Sequence, residues 1–414
     1  MTGWTKRRFG ELVTESKDGD WGLGEAAEGF APFHVIRGTD FDNVRRGNVS
    51  AVPMRHISER TAWRRALRPG DILLETAGGS RNRSTGRSLL IDQRVMDLFP
   101  GPVTCASFAR FLRMDTTVAD PGFIYWLLQQ FHLTGAMWNH QVQHTGVARF
   151  QYTRFAESQE VLLPPLVDQQ AIAEVLGALD DKIAANGRIV ATMEALIQAR
   201  FSAYGFDGDV QGSGGEVRVD ELVEFNPKVP KPRADETVYV DMAALPTDSA
   251  RVRRWITRPP SGGARFVNGD TVMARITPCL ENGKTAYIDF MEPGEVGIGS
   301  TEFIVMRPRH GVPAHFPYVL ARSPRFRAHA IMSMTGSSGR QRCQVDRLVG
   351  FLMPRPQVQD LAELDSHCAP SFDLAKKLDT ESRTLADLRD TLLPQLVTGK
   401  LRVKDAVRAV EEAV

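Results

Sequence analysis

Three short stretches of this 414-residue chain hold side chains whose types and spacing suit contact with a polyanion. Arg81, Asn82, Arg83 and Arg87 crowd a Gly-rich segment, residues 78–86 and just beyond. Arg275, Thr277, Asn282 and Lys284 fall within residues 275–284 (RITPCLENGK), and Ser337, Ser338, Arg340, Gln341 and Arg342 within residues 335–342 (TGSSGRQR). Hydroxyl, amide and guanidinium donors in one short loop form the mixture that positions and reads a duplex. The arginine fork fits phosphate oxygens and the edge of guanine, and a loop backbone can come close to such a ligand. Arg64, Arg65 and Arg68, with Arg251, Arg253, Arg254 and Arg258, have the looser spacing expected of phosphate contacts alone.

Motifs for catalysis do not appear. There is no GxxxxGK[ST] phosphate loop, and Gly22, Gly24 and Gly29 lack both GxGxxG spacing and a preceding strand. His140 and His144 are four apart, as zinc ligands on a helix are, but no Glu follows His140 and Gly146 interrupts the segment. Residues 226–229 (NPKV) lack the second proline and the aromatic of an adenine methyltransferase motif. Cys105, Cys279, Cys343 and Cys368 are scattered, with no CxxC pair, and read as reduced thiols. The expectation is a chain with no catalytic residues, no metal site and no cofactor of its own. The aromatic stretch Phe123, Tyr125, Trp126 and Phe131 recurs at helical spacing among Ile124, Leu127 and Leu128, which marks core rather than a base-stacking surface.

The loops are framed by an internal repeat. Leu67–Leu73 (LRPGDIL), a polar loop and a strand over residues 88–91 match residues 266–273 (FVNGDTVM), a polar loop over 277–284 and a strand over 285–288. Residues 108–113 (FARFLR) then match 302–307 (EFIVMR), each before a short helix, residues 123–130 and 316–322; Thr145-Gly146 matches Thr335-Gly336. Both halves reach prolines and then a long helix. In the first, Ile172, Leu176, Leu179, Ile183, Asn186, Val190, Met193 and Ile197 alternate steps of four and three, a coiled-coil seam with one polar register position at Asn186. Leu361, Leu364, Cys368, Ser371, Ala375, Leu378, Ser382, Leu385 and Leu388 give a weaker second seam, in which Pro370 predicts a kink. A helix of roughly 35 residues rises about 50 Å, enough to act as a spacer.

Composition agrees. With 51 Lys plus Arg, 50 Asp plus Glu and 42% hydrophobic residues, the chain is neither a polycation nor disordered. Cut at the repeat boundaries, the net charge of +1 separates into +3 for residues 1–160, −4 for 161–210, +5 for 211–356 and −3 for 357–414. Two basic blocks alternate with two acidic helical ones. No apolar run reaches the roughly 18 residues of a membrane span, and no apolar signal core follows residues 1–8, so a cytoplasmic location is expected.

These segments, together with residues 163–170 (LPPLVDQQ), 180–183, 299–308 (GSTEFIVMRP) and 383–399 (RTLADLRDTLLPQLVTG), resemble the specificity subunit of type I restriction-modification enzymes, in order and over nearly the whole chain. The resemblance implies an α+β chain with a pseudo-twofold internal repeat, in which two mixed α/β target-recognition domains are separated by two long antiparallel helices forming a coiled coil. Residues 1–160 would be the first such domain, 161–206 the central conserved helix, 207–216 a Gly-rich linker, 217–356 the second domain, and 357–414 the C-terminal conserved helix and tail.

By the same resemblance the loop residues named above would contact double-stranded DNA at an asymmetric bipartite target. The helices would dock two modification (methyltransferase) subunits and, through the complex, restriction subunits. S-adenosylmethionine, ATP and Mg would then belong to those partner subunits, whose assembly methylates adenine and cleaves DNA. The first half departs from the pattern: residues 75–87 (ETAGGSRNRSTGR) and 145–150 (TGVARF) keep only part of what the second half shows. Two rival readings are a coiled-coil scaffold whose basic domains merely confer solubility, and an enzyme acting alone on DNA, which the missing motifs disfavour.

Overall fold

The computed structural model describes residues 3–79, 84–143, 147–209, 215–252, 254–337 and 339–413, with the backbone alone for Ala413. The chain divides into two compact units, Met1–Arg188 with Asp379–Val414, and Ile189–Leu378.

In unit 1 the strands are β1 (Thr5–Arg8), β2 (Val13–Asp18), β3 (Phe30–Ile36), β4 (Met54–Ser58), β5 (Asp71–Glu75), β6 (Ala77–Gly78), β7 (Ser88–Ile91), β8 (Val103–Cys105), β9 (Ala109–Met114), β10 (Gln141–Gln143), β11 (Ala148–Phe150) and β12 (Glu160–Leu163). They pair in the orders β2-β9-β5-β7, β4-β3-β8, β10-β11-β6 and β1-β12. Unit 2 holds β13 (Glu216–Arg218), β14 (Val223–Phe225), β15 (Thr237–Val240), β16 (Ile256–Arg258), β17 (Ala264–Phe266), β18 (Thr271–Ala274), β19 (Thr285–Tyr287), β20 (Gly297–Gly299), β21 (Phe303–Pro308), β22 (Met334–Thr335), β23 (Arg342–Cys343) and β24 (Leu352–Pro354). Their orders are β14-β21-β18-β19, β16-β15-β20-β17, β22-β23 and β13-β24. The arrangement repeats that of unit 1, including a parallel strand pair, β3 with β8 and β15 with β20, but β17 extends the second sheet and an isolated bridge from Ile276 to Arg342 stands where unit 1 has β6. The chain is thus the mixed helix-and-sheet repeat that the sequence predicts.

The central strands β5 and β18 of the two main sheets are mostly apolar and wholly buried, as a strand covered on both faces requires. Each begins at a glycine with left-handed backbone, Gly70 at φ +94° and Gly269 at φ +90°, where a side chain would be strained. The aspartate that follows is buried. Asp71 is 1% exposed and accepts both arms of Arg113 at 2.8 Å, plus the Arg68 amide at 2.8 Å. Asp270 is 0% exposed and accepts Arg307 at 2.7 Å through both oxygens, plus the Val267 amide at 2.8 Å.

The two long helices run Leu166–Ala203 and Val358–Val397. The second continues through Pro370 as one helical span, anchored on either side by buried Cys368 and Phe372. Both end alike. Gly205 and Gly399 take φ +78° and +69°, and the amides of Phe206 and Lys400 reach back to the carbonyls of Phe201 and Gln395, a glycine-terminated Schellman cap. Within unit 1 the helices pair antiparallel: Arg389 bonds Asp180 at 2.6 Å, and the Asn186 amide donates to Glu381 at 2.7 Å and Ser382 at 3.2 Å. Asn186 is 1% exposed, so this polar seam residue pins the register. Within unit 2 the pairing runs the same way, with Arg200 on His367 at 2.7 Å and Tyr204 on Glu363 at 3.3 Å.

The seams also belong to the unit cores. Ile172, Leu176, Leu179 and Leu385 are buried with Phe9, Phe123 and Trp126, and Ile183 and Leu388 pack against them. Ile197, Leu361, Leu364 and Cys368 are buried with Phe201, Phe316 and Tyr318. Val190, Met193 and Leu378 are half-buried.

Two predictions follow from these buried charges. Arg307→Met leaves Asp270 without its counter-ion and should cost unit 2 about 3 kcal/mol, read by urea denaturation of the variant against the wild type. Glu194, on the first long helix, is half-buried and accepts the Ala250 amide at 2.5 Å and the Tyr318 hydroxyl at 3.0 Å. Burial raises its pKa above the ordinary carboxylate value, against the pull of Arg322 and the two donors. The folded chain therefore keeps a proton that the unfolded chain has released, so stability falls as pH climbs from the ordinary carboxylate range through the raised value. Melting curves from pH 4 to 7 should show that slope, and Glu194→Gln should flatten it.

Candidate nucleic-acid interface

Both units build their polar loops at the far end of the ladder from the buried aspartate. In unit 2, β18 leads through Arg275 into residues 277–284, a tight helical turn closed by Leu280 N to Ile276 O and Asn282 N to Pro278 O, with Gly283 at φ +77°. Arg327 donates to Glu281 O and Arg322 to Gly283 O, both at 3.0 Å. The β22–β23 hairpin locks onto the same turn. Thr277 N donates to Gln341 O at 3.0 Å, its hydroxyl reaches the same oxygen at 3.3 Å, and Cys343 N donates to Arg275 O at 2.8 Å. Turn and hairpin form one hydrogen-bonded edge.

The structure sorts the expected contact residues of this edge by their availability. Ser337, Arg340 and Asn282 are exposed, and the Arg340 amide closes the hairpin tip on Ser337 O. Gln341, Arg275 and Thr277 are half-buried. Lys284 turns its ammonium onto Met242 O at 2.7 Å. Arg342 is held by both oxygens of Glu302, at 2.8 and 3.0 Å, and that carboxylate raises its pKa. Ser338 lies outside the described residues.

In unit 1, Arg81, Asn82, Arg83, His144, Thr145 and Gly146 lie outside the described residues. Arg87 points inward: it gives both arms to Glu75, at 2.7 and 3.2 Å, and one to Gly38 O at 2.6 Å. Burial strips it of water, which Glu75 and Asp42 more than offset, so its proton is held more firmly than usual. The loop that carries Arg81 begins at β6, and β6 pairs with β11 of the neighbouring hairpin, Ala148 facing Gly78 and Arg149 facing Ala77. Loop and hairpin are therefore joined here too, although the sequence shows no sign of it. Arg149 is exposed on β11, where neither its type nor its spacing in the sequence marks it.

The looser arginines divide likewise. Arg64 and Arg68 are exposed, Arg65 pairs with Asp20, Arg251 pairs with Asp289 at 2.5 Å and Arg258 lies over the Tyr239 ring at 3.3 Å. Arg254 stands 3.8 Å from Asp241, and Arg253 is outside the described residues. Phe123, Tyr125 and Trp126 are buried core, as their spacing predicts. The His140 ring packs edge-on against Phe150 and Phe155. Among the described residues no three His, Cys, Asp or Glu side chains gather as a metal site, and no helix is long and apolar enough to cross a membrane.

No protein-family model matches the chain. It is 27% identical over 186 residues to the type I restriction enzyme EcoAI specificity subunit of Escherichia coli, a match of 42% of this chain and 31% of that protein. It is 27% identical over 189 residues to the EcoEI specificity subunit of the same organism, covering 44% of this chain and again 31% of that protein. The matched region thus spans about a third of the length of these curated relatives. In fold it is similar to the S subunit of the type I restriction-modification system from M. genitalium, with a TM-score of 0.54 at 14% identity, covering 95% of this chain and 96% of that one. In sequence over part of its length and in fold over nearly all of it, this chain is similar to the specificity subunits of type I restriction-modification enzymes.

Proposed function

We propose that the chain is the DNA-recognition subunit of a type I restriction-modification system, non-catalytic itself, and that each unit reads one half of an asymmetric bipartite target. The observation that carries this reading is the duplicated edge: the same ladder ends twice in a hydrogen-bonded loop and hairpin, but with different side chains on each copy. Two similar frames with unlike faces suit a split target of unlike halves. In unit 2 the readers are Arg340, Ser337 and Asn282, which are exposed. The Arg81, Asn82 and Arg83 loop serves unit 1, and residues 1–160 and 217–356 are the two target-recognition domains.

The long helices dock two methyltransferase subunits, which bring S-adenosylmethionine; restriction subunits with ATP and Mg join through that complex. Because the seam residues are buried or half-buried within each unit, the docking surface is the outer face of the helices. There Ile189 and Leu196, one heptad apart on the first helix, and Leu374 on the second are exposed, Leu196 by 53%.

Binding of the chain to duplex DNA should weaken linearly on a plot of log affinity against log salt, by about 0.9 for each phosphate neutralised; a flat line would favour the scaffold reading. Arg340→Ala should relax base preference in one half-site alone, scored by sequencing duplexes selected from a random pool. Loss in both halves would refute the assignment of one unit to each half. Leu196→Glu should reduce co-purification with the methyltransferase subunit while leaving the helical circular dichroism signal and DNA binding in place.

A further inference from the structure

The two edges share a backbone but differ at one pair of positions. Thr76 N donates to Phe108 O at 2.9 Å in unit 1, and Arg275 N donates to Glu302 O at 2.9 Å in unit 2. Phe150 N then donates to Thr76 O at 2.9 Å, and Cys343 N to Arg275 O at 2.8 Å. Ladder register agrees: Glu75 faces Ala109 as Ala274 faces Phe303, and Arg149 faces Ala77 as Arg342 bridges Ile276. Phe108 is thus the counterpart of Glu302, and Arg149 of Arg342.

Their chemistry is opposite. In unit 2 the carboxylate of Glu302 engages the Arg342 fork. In unit 1 that carboxylate is replaced by a phenyl ring, 61% exposed. Arg149 is exposed, and no carboxylate among the described residues lies within ion-pair distance of it. Val142, directly opposite Arg149 across the hairpin, and Val147, two residues before it, are exposed as well. A free guanidinium among outward-facing apolar side chains offers a two-pronged donor to guanine O6 and N7, with apolar surface for a neighbouring thymine methyl.

We infer that Arg149 is the base-reading guanidinium of unit 1, directed at a guanine edge in the major groove, and that Phe108 is the specificity position that leaves it free. This rests on the proposed role in DNA recognition. It adds that the two units read with different parts of the same hairpin: unit 1 from strand β11, unit 2 from the tip at Arg340, because Glu302 occupies the fork of Arg342.

The test is selection of duplexes from a random library by the intact chain, comparing wild type with Arg149→Lys, Phe108→Glu and Arg340→Ala. Lysine keeps the charge but loses the fork. Arg149→Lys should lower preference at one base pair of one half-site by about 5- to 150-fold, with the salt slope unchanged and the half-site read by Arg340 untouched. Phe108→Glu supplies the carboxylate found in unit 2 and should produce the same loss. If wild type selects a split motif and both variants return it unaltered, Arg149 is not a reader, while the proposed function stands. If Arg149→Lys weakens all sequences alike, the residue is a phosphate contact and the inference fails. If wild type selects no motif, the proposed function falls and the inference with it.

Discussion

One interaction, made twice, sets what each unit can present: a buried aspartate gripped by an arginine from the neighbouring strand, Asp71 with Arg113 and Asp270 with Arg307. A carboxylate taken out of water is tolerable only when its hydrogen-bonding capacity is used. Here the fork and a backbone amide use it. The pair sits at the start of β5 or β18 and clamps it to β9 or β21 in a single register. A one-residue slip would turn every side chain of a strand to its other face. The far ends of the same strands carry Glu75, Phe108 and β6 in one unit, and Arg275, Glu302 and the 277–284 turn in the other. The position of the loop is therefore decided about four residues along the ladder, by a pair whose aspartate is buried in the core.

Much of this frame was legible in the sequence. The Gly-Asp turns, the apolar strands after them and the four-three stepping of the first seam are local patterns, and local patterns survive without knowledge of the fold. Asn186 could be named as a register position because a polar residue in an apolar seam has few other uses. The availability of individual cations was not legible. Arg87 and Arg342 look like loop arginines by type and spacing, yet Glu75 and Glu302 lie across the ladder from them. Lys284 finds a carbonyl more than forty residues back. Charge sign is written in the sequence; the group facing it is written only in the register.

The same reason explains what sequence reasoning missed. Arg149 stands in a stretch, TGVARF, that keeps little of the pattern seen in the second half, and nothing nearby marks it. Its character depends on Phe108, some forty residues earlier, and on β6, brought alongside by pairing. Asp180 is a similar case: Arg45 and Arg389 converge on it from opposite parts of the chain, so an acidic residue on a solvated-looking helix becomes a junction between the first sheet region and both long helices.

The exposed positions at the loop edges add little to either core. Phe108 points outward where a buried frame asks nothing of it, and the equivalent backbone accepts a glutamate in the other unit. Such sites are nearly free to drift, because substitutions there have small effects on folding while a buried pair or seam leucine does not. If the rim reads DNA as proposed, single exchanges there would change the target while each intermediate stays folded, so that a lineage could explore new targets without passing through unstable ancestors.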